Sequence, residues 1–158
     1  MKPQDAAVGK LIAEVRRYYG EGCFACGQTN PHGLRMDRFR FEDGMAFAEF
    51  DPRAEHRGTE GTLHGGVVTT TLDEISVWAA ILTCHTMVVT GRLQVRFHRP
   101  APVEGAHLSV RGRVEERRGK RLTISAQLLS ATTVCASSEG LFLTTQSLQE
   151  MGIPIPGA

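Results

Sequence analysis

The stretch Thr62-Leu63-His64-Gly65-Gly66, with Asp73 nine residues after the histidine, holds residue types suited to chemistry on a carbonyl group. Two glycines opening a helix expose backbone N–H groups with no side chain in the way. The positive end of the helix dipole lies at the same place, so a developing oxyanion is stabilised there. Glycines that only permit close packing are the plainer alternative, and these three residues alone do not decide between the two.

The helix that follows reads as residues 64–82 and carries two stripes. Val68, Leu72, Ile75, Ala79 and Leu82 keep the helical period and should face a sheet. Gly66, Thr69, Asp73, Ser76 and Ala80 form a second stripe, small and polar, which could lie against a partner subunit or a ligand. Glu74 is rotated about 100° from Asp73, where a solvated face is expected. Eight residues separate Gly65 from Asp73, about 12 Å along the axis, too far for one carbonyl to touch both. If both act together, Asp73 must come from a second copy running antiparallel beside the first, which implies a homodimer.

After the helix, Thr90-Gly91-Arg92-Leu93-Gln94-Val95-Arg96-Phe97-His98 alternates. Leu93, Val95 and Phe97 are expected to point to the core, and Thr90, Arg92, Gln94, Arg96 and His98 to the other face. A solvated sheet face explains the second set. A polar groove does so equally, with Thr90 near the chemistry and Arg96 and His98 further along for an anionic ligand. Arg118 and Lys120 in a later turn add positive charge, and a nucleotide phosphate is the natural ligand for such residues.

The elements that must position these residues are legible from periodicity. Residues 6–19 read as an amphipathic helix through Val8, Leu11, Ile12, Val15 and Tyr19, ended by Gly20 and Gly22. Strands are expected at 35–42 and 45–51 around Glu42-Asp43-Gly44, and at 86–98, 106–117, 121–131 and 134–145. The tail from Gly152 to Gly157 is expected to fray. One long helix among antiparallel strands, with no βαβ alternation, is an α+β layer architecture.

A chain of 158 residues suits one domain with a full core. Lys and Arg number 18 against 17 Asp and Glu, so charge gives no reason to expect nucleic acid or an anionic membrane as partner. No apolar run suggests a membrane span, and Met1-Lys2-Pro3-Gln4-Asp5 lacks the form of a signal peptide. A cytoplasmic location is therefore expected, with the four cysteines as thiols. Cys23-Phe24-Ala25-Cys26-Gly27 has the spacing of a zinc knuckle, but a closed zinc site needs four ligands and no second pair follows. A structural loop without metal is the expectation. Cys84 and Cys135 sit in apolar surroundings and read as core residues, as do Trp78 and Phe24.

Taken together, these segments resemble the hotdog-fold acyl-CoA thioesterases, and most closely their PaaI-like (phenylacetyl-CoA thioesterase-like) branch. His64-Gly65-Gly66 with Asp73 carries the resemblance. Cys23-Phe24-Ala25-Cys26-Gly27-Gln28-Thr29-Asn30-Pro31-His32-Gly33-Leu34, the run His56-Arg57-Gly58-Thr59-Glu60-Gly61 and Arg96-Phe97-His98-Arg99-Pro100 extend it over roughly residues 20–145. The resemblance implies a central helix wrapped by a curved antiparallel sheet of about six strands, with an extra N-terminal helix. It divides the chain into a helix and linker (1–22), a single thioesterase domain (23–147) and a tail (148–158). It implies homodimers, in many relatives tetramers, and hydrolysis of an acyl-CoA with no metal and no cofactor beyond the CoA of the substrate. Asp73 matches the catalytic carboxylate, nucleophile or general base, and Gly65 the position whose N–H polarises the carbonyl. Thr90 matches a position that orients the attacking water, and His64 shapes the turn. Gly66, Arg96, His98, Gly119 and Lys120 match stretches that hold substrate or the CoA arm. An Asn or Gln that supplies a second oxyanion donor in relatives is missing, and His56 is the expected substitute. A non-catalytic acyl-CoA binding or sensing protein, a thioester hydratase or dehydratase and a zinc-knuckle interaction protein are the competing readings.

Overall fold

In the computed structural model, residues 3–19 and 21–155 are described. An N-terminal helix α1 (Pro3–Tyr19) precedes two short strands, β1 (Asp37–Glu42) and β2 (Met45–Phe50). A 3-10 turn (Ala54–His56) leads to the long helix α2 (Gly65–Cys84). Four strands follow: β3 (Thr86–Phe97), β4 (Leu108–Arg118), β5 (Arg121–Ser130) and β6 (Thr133–Ser147). The elements agree with the expected ones to within a few residues.

All strand pairs are antiparallel, in the order β1-β2-β4-β5-β6-β3. The hairpins β1–β2, β4–β5 and β5–β6 arise from short turns, of which Gly119 at φ +58° needs glycine. The connection from β2 through α2 to β3 instead carries the chain across the inner face of the sheet to its far edge. Helix α2 therefore touches strands β2 to β6. At Gly112 the approach is close: a Cβ there would lie 3.1 Å from the Ile75 carbonyl oxygen.

The apolar stripe of α2 forms the core as expected. Val68, Leu72, Ile75, Ala79 and Leu82 are buried against inner-face residues such as Val110, Leu122, Ile124, Leu128 and Phe142. Trp78 is fully buried and stacks on Phe39 with ring centroids 4.5 Å apart. α1 joins the same core through Leu11, Ile12 and Val15. Gly20 and the side chain of Tyr19 lie outside the described residues.

Five expectations are corrected. The small stripe of α2 is not open along its length, because Ser76 and Ala80 are fully buried within the same chain. Glu74 is not solvated: it packs inside, and the Trp78 indole N–H donates to its carboxylate at 2.9 Å. Phe24 is 49% exposed and stands outside the core. The tail does not fray at Ile153, whose side chain is buried and whose N–H donates to the Leu148 carbonyl at 2.9 Å; Pro156 and Gly157 lie outside the described residues. Gly65–Cys84 does have the length and hydropathy of a membrane span, but half of its residues are buried as the core helix of this fold.

Candidate active site

The site is built where α2 begins and where β3 runs beside it. His64 is the N-cap of α2, and its Nδ1 accepts the Gly66 N–H at 2.9 Å. Its backbone carbonyl takes the N–H groups of Val67 and Val68. Of the first four N–H groups, only that of Gly65 has no acceptor among the described residues. Gly65 is solvent-exposed, so this donor points to the place where the helix dipole favours negative charge. A Cβ on Gly65 would lie 3.6 Å from the Phe97 ring, which covers one side of the helix start.

His56 supports this arrangement from below. Its carbonyl accepts the His64 N–H at 2.9 Å, its ring stacks on Phe50, and its Nδ1 accepts the Arg53 N–H at 3.0 Å. The imidazole proton therefore sits on Nε2, which is buried without a partner. Burial holds the His56 pKa below the usual histidine range, so the ring is neutral.

About two turns along α2, Asp73 is half-buried and accepts the Thr90 hydroxyl at 2.7 Å through Oδ1. This pairing contradicts the expected alternation of β3. Gly91 is left out of the β3–β6 ladder, a bulge between Thr90, which faces Phe142, and Arg92, which faces Leu141. The extra residue shifts the phase by one. Thr90 consequently shares the helix-facing side with Leu93, Val95 and Phe97. Phe97 is nevertheless 58% exposed, because it lies beyond the core against Gly65.

The remaining candidates do not converge in one chain. Arg96 lines a groove of about 640 Å³ on the outer face of the sheet with Gln94, Arg111 and Arg113, away from Asp73. His98 Nε2 is 2.7 Å from the Ser137 hydroxyl at that end of β6. Gly119 and Lys120 form the β4–β5 turn beside Thr144, whose N–H donates to the Lys120 carbonyl. Ser137 and Thr144 are seven residues apart on β6, roughly 20 Å at the strand rise. In one subunit the two groups therefore stand toward opposite ends of β6.

The second acidic residue of α2, Glu74, forms no ion pair among the described residues, although the Arg16 charge reaches it. Burial raises the Glu74 pKa, and the Cys26 thiol lies within 4.8 Å of its carboxylate. Sequence reasoning missed this residue, since nothing in its spacing shows that the Cys23–Cys26 loop covers it.

Residues 60–137 match the family model of the thioesterase superfamily. That segment, 78 of the 158 residues, belongs to the thioesterase superfamily, and the chain has the hotdog fold of its solved neighbours. A structure of a thioesterase superfamily protein, RHA08564, is 21% identical, with TM-score 0.71, covering 90% of this chain and 81% of its own. A Streptococcus mutans protein solved with acetyl-CoA is 18% identical, with TM-score 0.63, over 70% of this chain and 91% of its own. A phenylacetic acid degradation-related protein from Ralstonia eutropha is 21% identical, with TM-score 0.62, over 70% of this chain and 85% of its own. At these identities the likeness concerns the fold. No curated protein matches the sequence.

The cap makes one prediction. His64→Ala removes the acceptor for Gly66 and should cost about 1 kcal/mol, roughly 2–4 °C in Tm. Turnover should fall only a few-fold. Thermal unfolding beside a rate assay checks this, and a loss of activity with unchanged Tm would instead place the imidazole in the chemistry.

Proposed function

We propose that this protein hydrolyses acyl-CoA thioesters to a free acid and CoA, as a homodimer with sites between subunits. The observation that carries the reading is the Asp73–Thr90 pair, a half-buried carboxylate held by one hydroxyl at 2.7 Å. The Thr90 hydroxyl fixes the rotamer of Asp73 and leaves its own oxygen free to accept from water. Asp73 then either takes the proton of the attacking water or attacks the carbonyl carbon itself, in which case the acyl-Asp73 anhydride left after the thiolate departs is hydrolysed by a water. The tetrahedral oxyanion is met by the Gly65 N–H, and its collapse expels the CoA thiolate, which is a good leaving group. The helix start does the polarising, so the reaction as proposed takes no cofactor beyond the CoA of the substrate. Superfamily membership and the neighbours crystallised with acetyl-CoA and with coenzyme A support the substrate class.

Gly65 and Asp73 stand too far apart on one helix to meet one carbonyl, which favours a second copy. β3 is one of the two edge strands of the sheet, and it exposes Val89 at 53% and Phe97 at 58%. Pairing of two such edges covers these side chains and sets two α2 helices side by side. It also allows Arg96 and His98 of one subunit and Lys120 of the other to hold a single CoA arm. Burial gives His56 the role of supporting His64. The test is release of free thiol from short, long and aromatic acyl-CoAs. Turnover of at least one class is expected. Binding of CoA esters with no turnover would instead make the chain a non-catalytic binder.

A further inference from the structure

The loop before β1 and the central helix bring three metal-type ligands together on a side of α2 that the proposed reaction does not use. The thiols of Cys23 and Cys26 and a carboxylate oxygen of Glu74 all lie within 4.8 Å of one another. We propose that Cys23, Cys26 and Glu74 form a binding site for a thiophilic divalent metal, with zinc the expected ion, that fastens residues 21–34 to helix α2.

Distance, rigidity and charge carry the argument. Tetrahedral zinc with S and O ligands keeps its donor atoms roughly 3.5–3.8 Å apart, so the three need only small rotamer changes to close on an ion. The turn bearing the cysteines is already fixed. The Gly27 N–H donates to the Cys23 carbonyl at 2.9 Å, and a Cβ on Gly27 would lie 2.3 Å from the Glu21 carbonyl oxygen. Leu34 and Met36 tie the following segment back to Phe24 and Ala25 by backbone hydrogen bonds. The carboxylate is aimed as well, because the Trp78 indole N–H holds Glu74 Oε1 at 2.9 Å, as outer-shell partners hold metal ligands.

The charge balance also fits. Two thiolates and a carboxylate carry three negative charges, and a divalent ion leaves one. The Arg16 guanidinium stands beside the site, donating to the Cys26 carbonyl at 2.8 Å, and neutralises the remainder. Without an ion the group is costly: Glu74 is an acid packed inside, with a thiol and an indole N–H as its neighbours. Three protein ligands leave a fourth position for water, so the site differs from a closed four-ligand knuckle. The sequence alone argues against metal because it shows only two ligands; the third comes from a helix about 50 residues later.

The test uses the full chain, reduced and freed of metal by chelation, and titrated with cobalt(II) as a spectroscopic stand-in for zinc. Stoichiometric binding with a near-ultraviolet thiolate-to-cobalt band is expected. Trp78 is the chain's single tryptophan and bonds directly to Glu74, so its emission should be quenched in step. Cys23→Ser and Glu74→Gln should each weaken binding at least tenfold, while Cys135→Ser leaves it unchanged. Glu74→Gln keeps an acceptor for Trp78, and thermal unfolding shows whether each variant is folded. Zinc should raise Tm in the wild type and far less in Glu74→Gln. Absence of a cobalt band with four titratable thiols overturns the proposal. So does a Cys23–Cys26 disulfide in the isolated chain, or binding that Glu74→Gln leaves intact.

Discussion

Asp73→Asn should lower kcat by about 10²–10⁴-fold while leaving Tm within a degree or two of wild type. Asparagine keeps the volume and the oxygen that accepts from Thr90, so the 2.7 Å hydrogen bond survives. What it loses is the ability to accept a proton from water or to attack the carbonyl. Asp73 is half-buried and joined to no cation, so removing its charge breaks no ion pair among the described residues. KM for the acyl-CoA should change little, since the ground-state contacts remain. Thiol-release kinetics and thermal unfolding of the two proteins decide this. Unchanged turnover would take Asp73 out of the mechanism.

The second large effect is expected from Gly65→Pro. Proline removes the one backbone donor at the start of α2 that no acceptor in the described chain uses. The first position of a helix is where proline fits, because its fixed φ is helical and the missing N–H serves no helical bond. The residue before it must be extended, and His64 already is, at φ −61° and ψ 135°. The helix should therefore form as before. Loss of one oxyanion donor costs about 2.7–4 kcal/mol in comparable sites, or roughly 10²–10³-fold in kcat. Gly65→Ala keeps the N–H, and its methyl meets the Phe97 ring at an ordinary 3.6 Å. It should retain most activity, which separates the donor from the space. Equal losses in the two variants would mean that bulk at this position, not hydrogen bonding, is what matters.

Periodicity carried the fold because each element keeps one period over enough residues to be read. Val68, Leu72, Ile75, Ala79 and Leu82 mark the buried stripe of α2, and the strands after it alternate between their bulges. The helix start was legible for the same reason: capping and glycine chemistry are local. The failures are non-local or depend on a single residue. Gly91 puts one bulge in β3 and moves Thr90 to the face of Leu93, and only pairing with β6 reveals it. Glu74 looks like a solvated helix residue until the Cys23–Cys26 loop, some 50 positions earlier in the chain, is folded over it. Ile153 is one apolar residue among glycines and prolines, with no period to mark its burial. Arg96, His98 and Lys120 read as one basic group in sequence, yet the sheet places them at opposite ends and, for Arg96, on the outer face.

The central claim is that one catalytic site joins Gly65 of one subunit to Asp73 of another, and mixing the two variants tests it most directly. Asp73→Asn and Gly65→Pro chains are each nearly inactive alone. Unfolded together and refolded in equal amounts, half of the dimers are mixed, and each mixed dimer holds one site with both native residues. The account predicts recovery of about a quarter of the wild-type rate of thiol release. A mixture no more active than its separate components, with subunit exchange verified, would contradict it and return the chemistry to a single subunit.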